Sequence, residues 1–117
     1  MKIIVDPQQI KRVFINLIKN AYDAMPNGGE VRITSTNSNG ILEVSFSDTG
    51  EGIKEEVIQK LWKGPVTTKA KGLGLGLAIS KRIIETHGGT MAALQGSNGR
   101  GTEVKVKLPI KHELGGV

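Results

Sequence analysis

Apolar positions along this chain switch between a helical and a strand period, and the switches divide it into elements. A short apolar run at Ile3-Ile4-Val5 reads as a strand. Asp6-Pro7 then sets an N-cap acid before proline at the first helical position, where the missing N–H costs nothing. The spacing predicts a helix over about 7–25, stopped by Pro26-Asn27-Gly28-Gly29. At about 100° per residue, Ile10, Val13, Phe14, Leu17, Ala21 and Ala24 share one face, and Asn16, Asn20 and Asp23 form a polar stripe along its border.

The period then falls to two. Val31-x-Ile33, a turn at Asn37-Ser38-Asn39-Gly40, and a strand with Leu42, Val44, Phe46 and Asp48 on one side predict a hairpin. That alternation directs the Asp48 carboxylate to the same side as three core residues, and a buried acid needs a partner. Residues 54–62 suit a short helix, and 63–73 a loop of Gly, Thr and Lys. From Gly74 to about His87 the pattern is helical again, with Leu75, Leu77, Ala78, Ile79 and Ile83 inward and Gly88-Gly89 as the stop. Strands at 90–95 and 102–108 are joined by a glycine-rich turn, and 110–117 form a loose tail. Hairpins with interspersed helices predict an α/β (α+β) fold, a two-layer sandwich whose mixed, mainly antiparallel sheet carries its helices on one face.

Length and composition narrow this little. A chain of 117 residues holds one domain, placed at 1–109, with a core that needs no staples. It has no cysteine, so disulfides and thiolate metal sites are excluded, and no apolar run approaches the ~20 residues of a membrane helix. No cleavable leader follows Met1, which points to a cytoplasmic location, compatible with a membrane-anchored parent. The net charge of +5 has a local meaning. Lys60, Lys63, Lys69, Lys71, Lys81 and Arg82 lie around a glycine loop, which suits a phosphorylated ligand. With two Phe, one Trp and one Tyr there is no stacking platform, so nucleic acid is not expected as a partner, nor is direct membrane contact.

Three constellations carry candidate chemistry. Asn16 and Asn20 lie one helical turn apart and project side by side, offering hard amide oxygens to Mg²⁺ or simply standing solvated. In Asp48-Thr49-Gly50-Glu51-Gly52, a half-buried acid can accept from the exocyclic amine of a base while Gly50 and Gly52 let backbone approach a flat ligand. The bland alternative is a polar turn, and the sharper one is the Asp-Thr-Gly of a dimeric aspartic protease. Gly72-Leu73-Gly74-Leu75-Gly76-Leu77 opens the long helix, whose N-terminus attracts phosphate, with Lys69 and Lys71 upstream. Its spacing is neither that of a Walker A loop nor, lacking a preceding strand, that of a Rossmann turn. The two histidines have no companions for catalysis; His87 falls in a helix's last turn, where imidazoles bond free carbonyls.

In this order the motifs resemble the ATP-binding catalytic domain of sensor histidine kinases, a Bergerat-type fold in the superfamily shared with DNA gyrase, Hsp90 and MutL. Asn16-Leu17-Ile18-Lys19-Asn20-Ala21 resembles the N box, Asp48 to Gly52 the G1 box, Gly72 to Ser80 the G2 box, and Gly101-Thr102 the last glycine box. The resemblance implies that Asp48, supported by Gly50, Gly52 and Thr102, recognises adenine. Asn20 would ligate Mg²⁺ and Asn16 would lie by the phosphates of ATP. A lid would run from Ile53 to Leu73, with Thr67, Thr68 and Lys69 at the end of the F box and Lys69 offered to the phosphates. Gly72, Leu73, Gly74, Leu75, Gly76 and Leu77 would line the phosphate side. Two departures stand out: Leu61-Trp62-Lys63-Gly64-Pro65-Val66 replaces the usual Phe-Glu-Pro-Phe, and Asp23 stands where many members carry a phosphate-binding cation.

Gyrase-like and Hsp90-like members typically place a water-activating Glu where this chain has Asn16, and an amide is a poor base. The resemblance thus implies γ-phosphate transfer to a histidine on a separate helical dimerisation domain, and onward to a response regulator. The alternatives are a stand-alone serine kinase of the anti-sigma-factor type and a nucleotide-sensing module without transfer.

Overall fold

A computed structural model describes residues 5–52, 56, 59, 73–96 and 100–110, the side chains of 73–75 excepted. Helix α1 spans Pro7–Asp23, and the hairpin of β1 (Val31–Ser38) and β2 (Ile41–Asp48) follows. Helix α2 (Leu73–Thr86) leads into β3 (Thr90–Gln95) and β4 (Thr102–Pro109). The strands form one sheet in the order β1-β2-β4-β3, and every pairing among the described residues is antiparallel. Of the strand expected at Ile3-Ile4-Val5, only Val5 is among the described residues, and it is not in a strand. Within the short helix expected at 54–62, Glu56 and Gln59 are described and helical; the lid loop lies outside the described residues.

The sheet's inner face is built in cross-strand rows. Leu42 faces Leu108, Val44 faces Val106, and Phe46 faces Val104, while on the other side of β4 Met91 and Ala93 face Val106 and Val104. These residues join Ile10, Val13 and Leu17 of α1 and Leu77 and Ile84 of α2 in a single core, with Val106, Val13 and Ile84 at 0% exposure. Burying one such side chain contributes about 1.5–3 kcal/mol, so this row sets both register and stability. The outer face carries Glu43, Glu103, Lys105 and Lys107 in ion pairs near 3.9 Å, which solvent screens to small energies. α1 reaches β2 through Phe14, whose ring meets Phe46 at 5.3 Å, and leaves Ile33 on the edge strand half exposed.

Several boundaries differ from the sequence expectation. α1 stops at Asp23, with Ala24 as its C-cap, two residues short. The hairpin turn is only Asn39-Gly40, both at positive φ (54° and 75°), so Asn37 and Ser38 stay in the ladder. A two-residue turn of this hand matches the twist of the strands, which favours the longer β1. On α2 the inward row is Leu77, Ser80 and Ile84, spaced i, i+3, i+7, with Ile83 partly buried beside it and Ala78 and Ile79 farther round. Gly88 at φ 80° closes the helix: its N–H reaches Glu85 C=O and that of Gly89 reaches Ile84 C=O, both at 2.9 Å, a Schellman motif. Ile110, expected in the tail, donates its N–H to Gly40 C=O at 2.8 Å.

Candidate functional site

Asp48 ends β2 beside the start of β4, and its carboxylate braces that corner. Oδ1 accepts the N–H of Gly50 at 2.9 Å and of Thr102 at 3.3 Å. Among the described residues Oδ2 accepts nothing, so one carboxylate oxygen is structural and the other stays available. The corner is drawn tight by glycines. A Cβ on Gly101 (φ 72°) would strike the Asp48 carbonyl oxygen, one on Gly52 (φ 81°) would lie 2.9 Å from Gly101 C=O, and one on Gly50 would strike the carbonyl of Ala24 at the end of α1. Glu51 N–H also donates to that Ala24 carbonyl, at 3.3 Å. The end of α1, the Asp-Thr-Gly turn and the start of β4 therefore meet backbone to backbone.

α1 and α2 run antiparallel. Asn16 Nδ2 donates to Ser80 Oγ at 3.4 Å, and at the far ends Asp6 meets His87. One helical turn from the Asn16–Ser80 pair, in opposite senses along the two helices, brings Asn20 level with Gly76. Gly76 has nothing within 4 Å of where a Cβ would stand, so the space in front of it is open. Asn20 Nδ2 is buried and unpartnered, and so is Thr102 Oγ1. Buried polar atoms without partners carry a penalty of about 1–3 kcal/mol each, which a bound group can lift. An amide's oxygen and nitrogen exchange by a half-turn, so Asn20 can present either to a ligand.

Not every expected residue joins this cluster. Leu77 is 2% exposed and belongs to the core, so a contact with a ligand there would run through its backbone. Asp23 is exposed and lines a cavity of about 530 Å³ with Tyr22, Met25, Pro26, Gly28 and Gly29. Leu73, Gly74 and Leu75 are helical in backbone; Ile53, Thr67, Thr68, Lys69 and Gly72 lie outside the described residues. Three contacts were not anticipated from sequence: the Ala24 carbonyl against Gly50, the packing of Gly101 on the Asp48 carbonyl, and the seat that Ser80, at the end of the G2 box, gives Asn16. Ser80 interrupts an apolar row, a signal that could have been read. Among the described residues no group of three or more His, Cys, Asp or Glu could hold a metal.

One carboxylate oxygen unpartnered among the described residues, close-packed glycine backbone, a buried spare amide and a glycine-opened helix are the parts of a nucleotide-binding domain. The chain matches the family model described as histidine kinase-, DNA gyrase B-, and HSP90-like ATPase over residues 5–112, and it belongs to that family. It is 43% identical over 106 residues to sporulation kinase A of Bacillus subtilis (strain 168), covering 91% of this chain and 17% of that protein. Among solved structures, the nucleotide-free catalytic domain of histidine kinase ThkA matches with a TM-score of 0.81 and 34% identity, over 92% of this chain and 71% of that one. Histidine kinase ThkA in complex with the response regulator protein TrrA matches at 0.75 and 34%, over 91% of this chain and 30% of that one. The chain is thus a catalytic ATPase domain of the histidine kinase type, spanning about a sixth of the curated relative's length. No helix among the described residues is long and apolar enough to cross a membrane.

Proposed function

We infer that this domain binds ATP with Mg²⁺ and directs the γ-phosphate to a histidine on a separate helical dimerisation and phosphoacceptor domain of its parent kinase, from which it passes to a response regulator. The observation that carries the inference is the divided role of Asp48: Oδ1 is held by Gly50 and Thr102 N–H, and Oδ2 is left to accept from an adenine amine. Thr102 Oγ1, buried and unpartnered, is a second polar contact for the base.

Asn20 has the chemistry for Mg²⁺, a neutral oxygen ligand whose buried amide lacks a partner. The ion, when bound, neutralises charge on the phosphates. Asn16, held by Ser80, stands one turn away where the phosphates would run, and as an amide it does not act as a base on water. That favours transfer to an acceptor over hydrolysis. Lys69, with Thr67 and Thr68, would add positive charge from the lid, and Gly72 to Gly76 would offer backbone N–H groups. The likeness to histidine kinase ThkA favours histidine over serine as acceptor.

The test is incubation with γ-labelled ATP, alone and with the helical phosphoacceptor domain of the parent. The isolated chain stays unlabelled and the helical domain takes up label that is stable to base and labile to acid. Acid-stable label would indicate a serine kinase, and no transfer with intact binding would indicate a sensing module.

A further inference from the structure

The start of α1 is held by a residue from far along the chain. Asp6-Pro7-Gln8-Gln9 has the spacing of a capping box, in which the Gln9 side chain would return to the Asp6 N–H. Only half the box forms. Asp6 Oδ1 accepts the N–H of Gln8 at 3.0 Å and of Gln9 at 3.3 Å, but the Asp6 N–H donates to His87 Nε2 at 3.0 Å, across 81 residues. The other ring nitrogen of His87, Nδ1, lies 2.8 Å from Ile83 C=O. A carbonyl only accepts, so Nδ1 carries the proton, and Nε2 is then bare to accept from Asp6. The two bonds together require a single state of the ring, neutral and protonated on Nδ1.

The ring is well anchored. His87 is the C-cap of α2, its N–H bonds Ile83 and Ile84 carbonyls, and the Schellman turn after it packs Gly89 against the Lys107 carbonyl of β4. The imidazole thus ties the N-cap of α1 to the sheet through the end of α2.

We propose that His87 is a positioning residue for the nucleotide site, setting α1 against α2 so that Asn16 and Asn20 face the glycine-rich start of α2. The proposal rests on the nucleotide-site assignment above. α1 is held to α2 at two places, Asp6–His87 and Asn16–Ser80. At 1.5 Å per residue the first lies about 15 Å from Asn16, and Asn20 lies about 6 Å beyond it. Slack of about 2 Å at Asp6, pivoting on Asn16–Ser80, swings Asn20 by roughly 0.8 Å. Misplacement of about 1 Å costs a reacting constellation up to about 10²-fold in rate, and a smaller loss, about five- to tenfold in binding, is expected here because α1 stays packed on the core.

Long-range ¹H–¹⁵N NMR of the wild-type imidazole at neutral pH reports which nitrogen is protonated; Nδ1 protonated and Nε2 bare is the expected result. His87→Ala, confirmed folded by thermal melt, weakens ADP binding about five- to tenfold by calorimetry. His87→Gln, whose amide oxygen reaches the place of Nε2, restores most of it. Residual dipolar couplings of the unliganded chain show α1 turned relative to α2 in His87→Ala and restored in His87→Gln. A ring protonated on Nε2 overturns the proposal, as does an Ala variant with wild-type affinity or unchanged couplings, or a folded Gln variant as weak as Ala. If the wild-type chain binds no ADP, the nucleotide assignment falls, and the ring NMR and couplings still decide whether His87 sets the helix pair. If the Ala variant does not fold, the wild-type ring and the Gln variant decide.

Discussion

Asp48 offers a way to separate what holds the corner from what reads the ligand. Asp48→Asn keeps Oδ1, so Gly50 and Thr102 retain their acceptor, and only its charge is lost. A hydrogen bond to a charged group contributes about 1.5–3 kcal/mol against about 0.5–1.5 for a neutral one. With the carboxylate half exposed and screened, the two losses together come to about 1 kcal/mol. Asp48→Ala removes the acceptor altogether and strands two N–H groups, that of Thr102 in a residue only 5% exposed, at a cost of about 2–4 kcal/mol. For the ligand the order reverses in kind. Asn puts an NH₂ where Oδ2 was, so donor meets donor at the adenine amine. Losing a charge-assisted bond and burying an unmatched donor together exceed about 2.7 kcal/mol, a loss of at least about 100-fold in affinity. Urea unfolding and calorimetric titration with ADP measure the two quantities on the same samples. The expected pattern is a mild stability loss with abolished binding for Asn, and a large loss of both for Ala. An Asn variant as unstable as Ala, or one that binds ADP within a few-fold of wild type, would refute the divided role.

Two further substitutions probe the buried polar groups. Thr102→Val replaces an unpartnered hydroxyl by a methyl of similar shape, so the unliganded protein melts no lower than wild type while ADP affinity falls about tenfold; a stability loss above about 1 kcal/mol would show the hydroxyl already satisfied. Ser80→Ala removes the acceptor of Asn16 but gains about 0.5 kcal/mol of helix propensity, leaving the urea midpoint nearly unchanged while ATP affinity drops a few-fold. Wild-type affinity for ATP in that variant would show that Asn16 needs no seat.

Elements that announce themselves by local chemistry were legible in the sequence. Asp6-Pro7 starts α1 as expected, with Oδ1 capping Gln8 and Gln9, and Gly88-Gly89 ends α2 in a Schellman turn. Alternation in β2 and β4 gave the core face, because a strand buried on one side repeats every second residue. α2 was harder to orient. Its sequence is apolar on more than one side, so periodicity places Leu77 inward correctly but adds Ala78 and Ile79 to that face and misses Ser80 and Ile84, which are buried. A serine in the inward row reads as a flaw until Asn16 is seen to point at it. The Asp6–His87 bond was hidden for a different reason: nothing local tells an N-cap that an imidazole 81 residues away will accept its N–H.

The glycines of the site show where such reading runs out. Sequence marks Gly50, Gly52 and Gly101 as places where backbone turns or comes close, yet it does not say to what. Gly50 meets the carbonyl of Ala24, Gly101 that of Asp48, and Gly52 that of Gly101, so a backbone carbonyl stands where each side chain would begin. Among the site glycines whose surroundings are described, glycine as an opening for phosphate fits Gly76, with open space before it. The other three serve the acid. They bring the end of α1, the end of β2 and the start of β4 close enough for one oxygen of Asp48 to accept from Gly50 and Thr102 together. Two backbone N–H groups on Oδ1 hold the carboxylate in one orientation, with Oδ2 unpartnered among the described residues. In the proposed role it would present Oδ2 to one amine position, set by the main-chain packing around Oδ1.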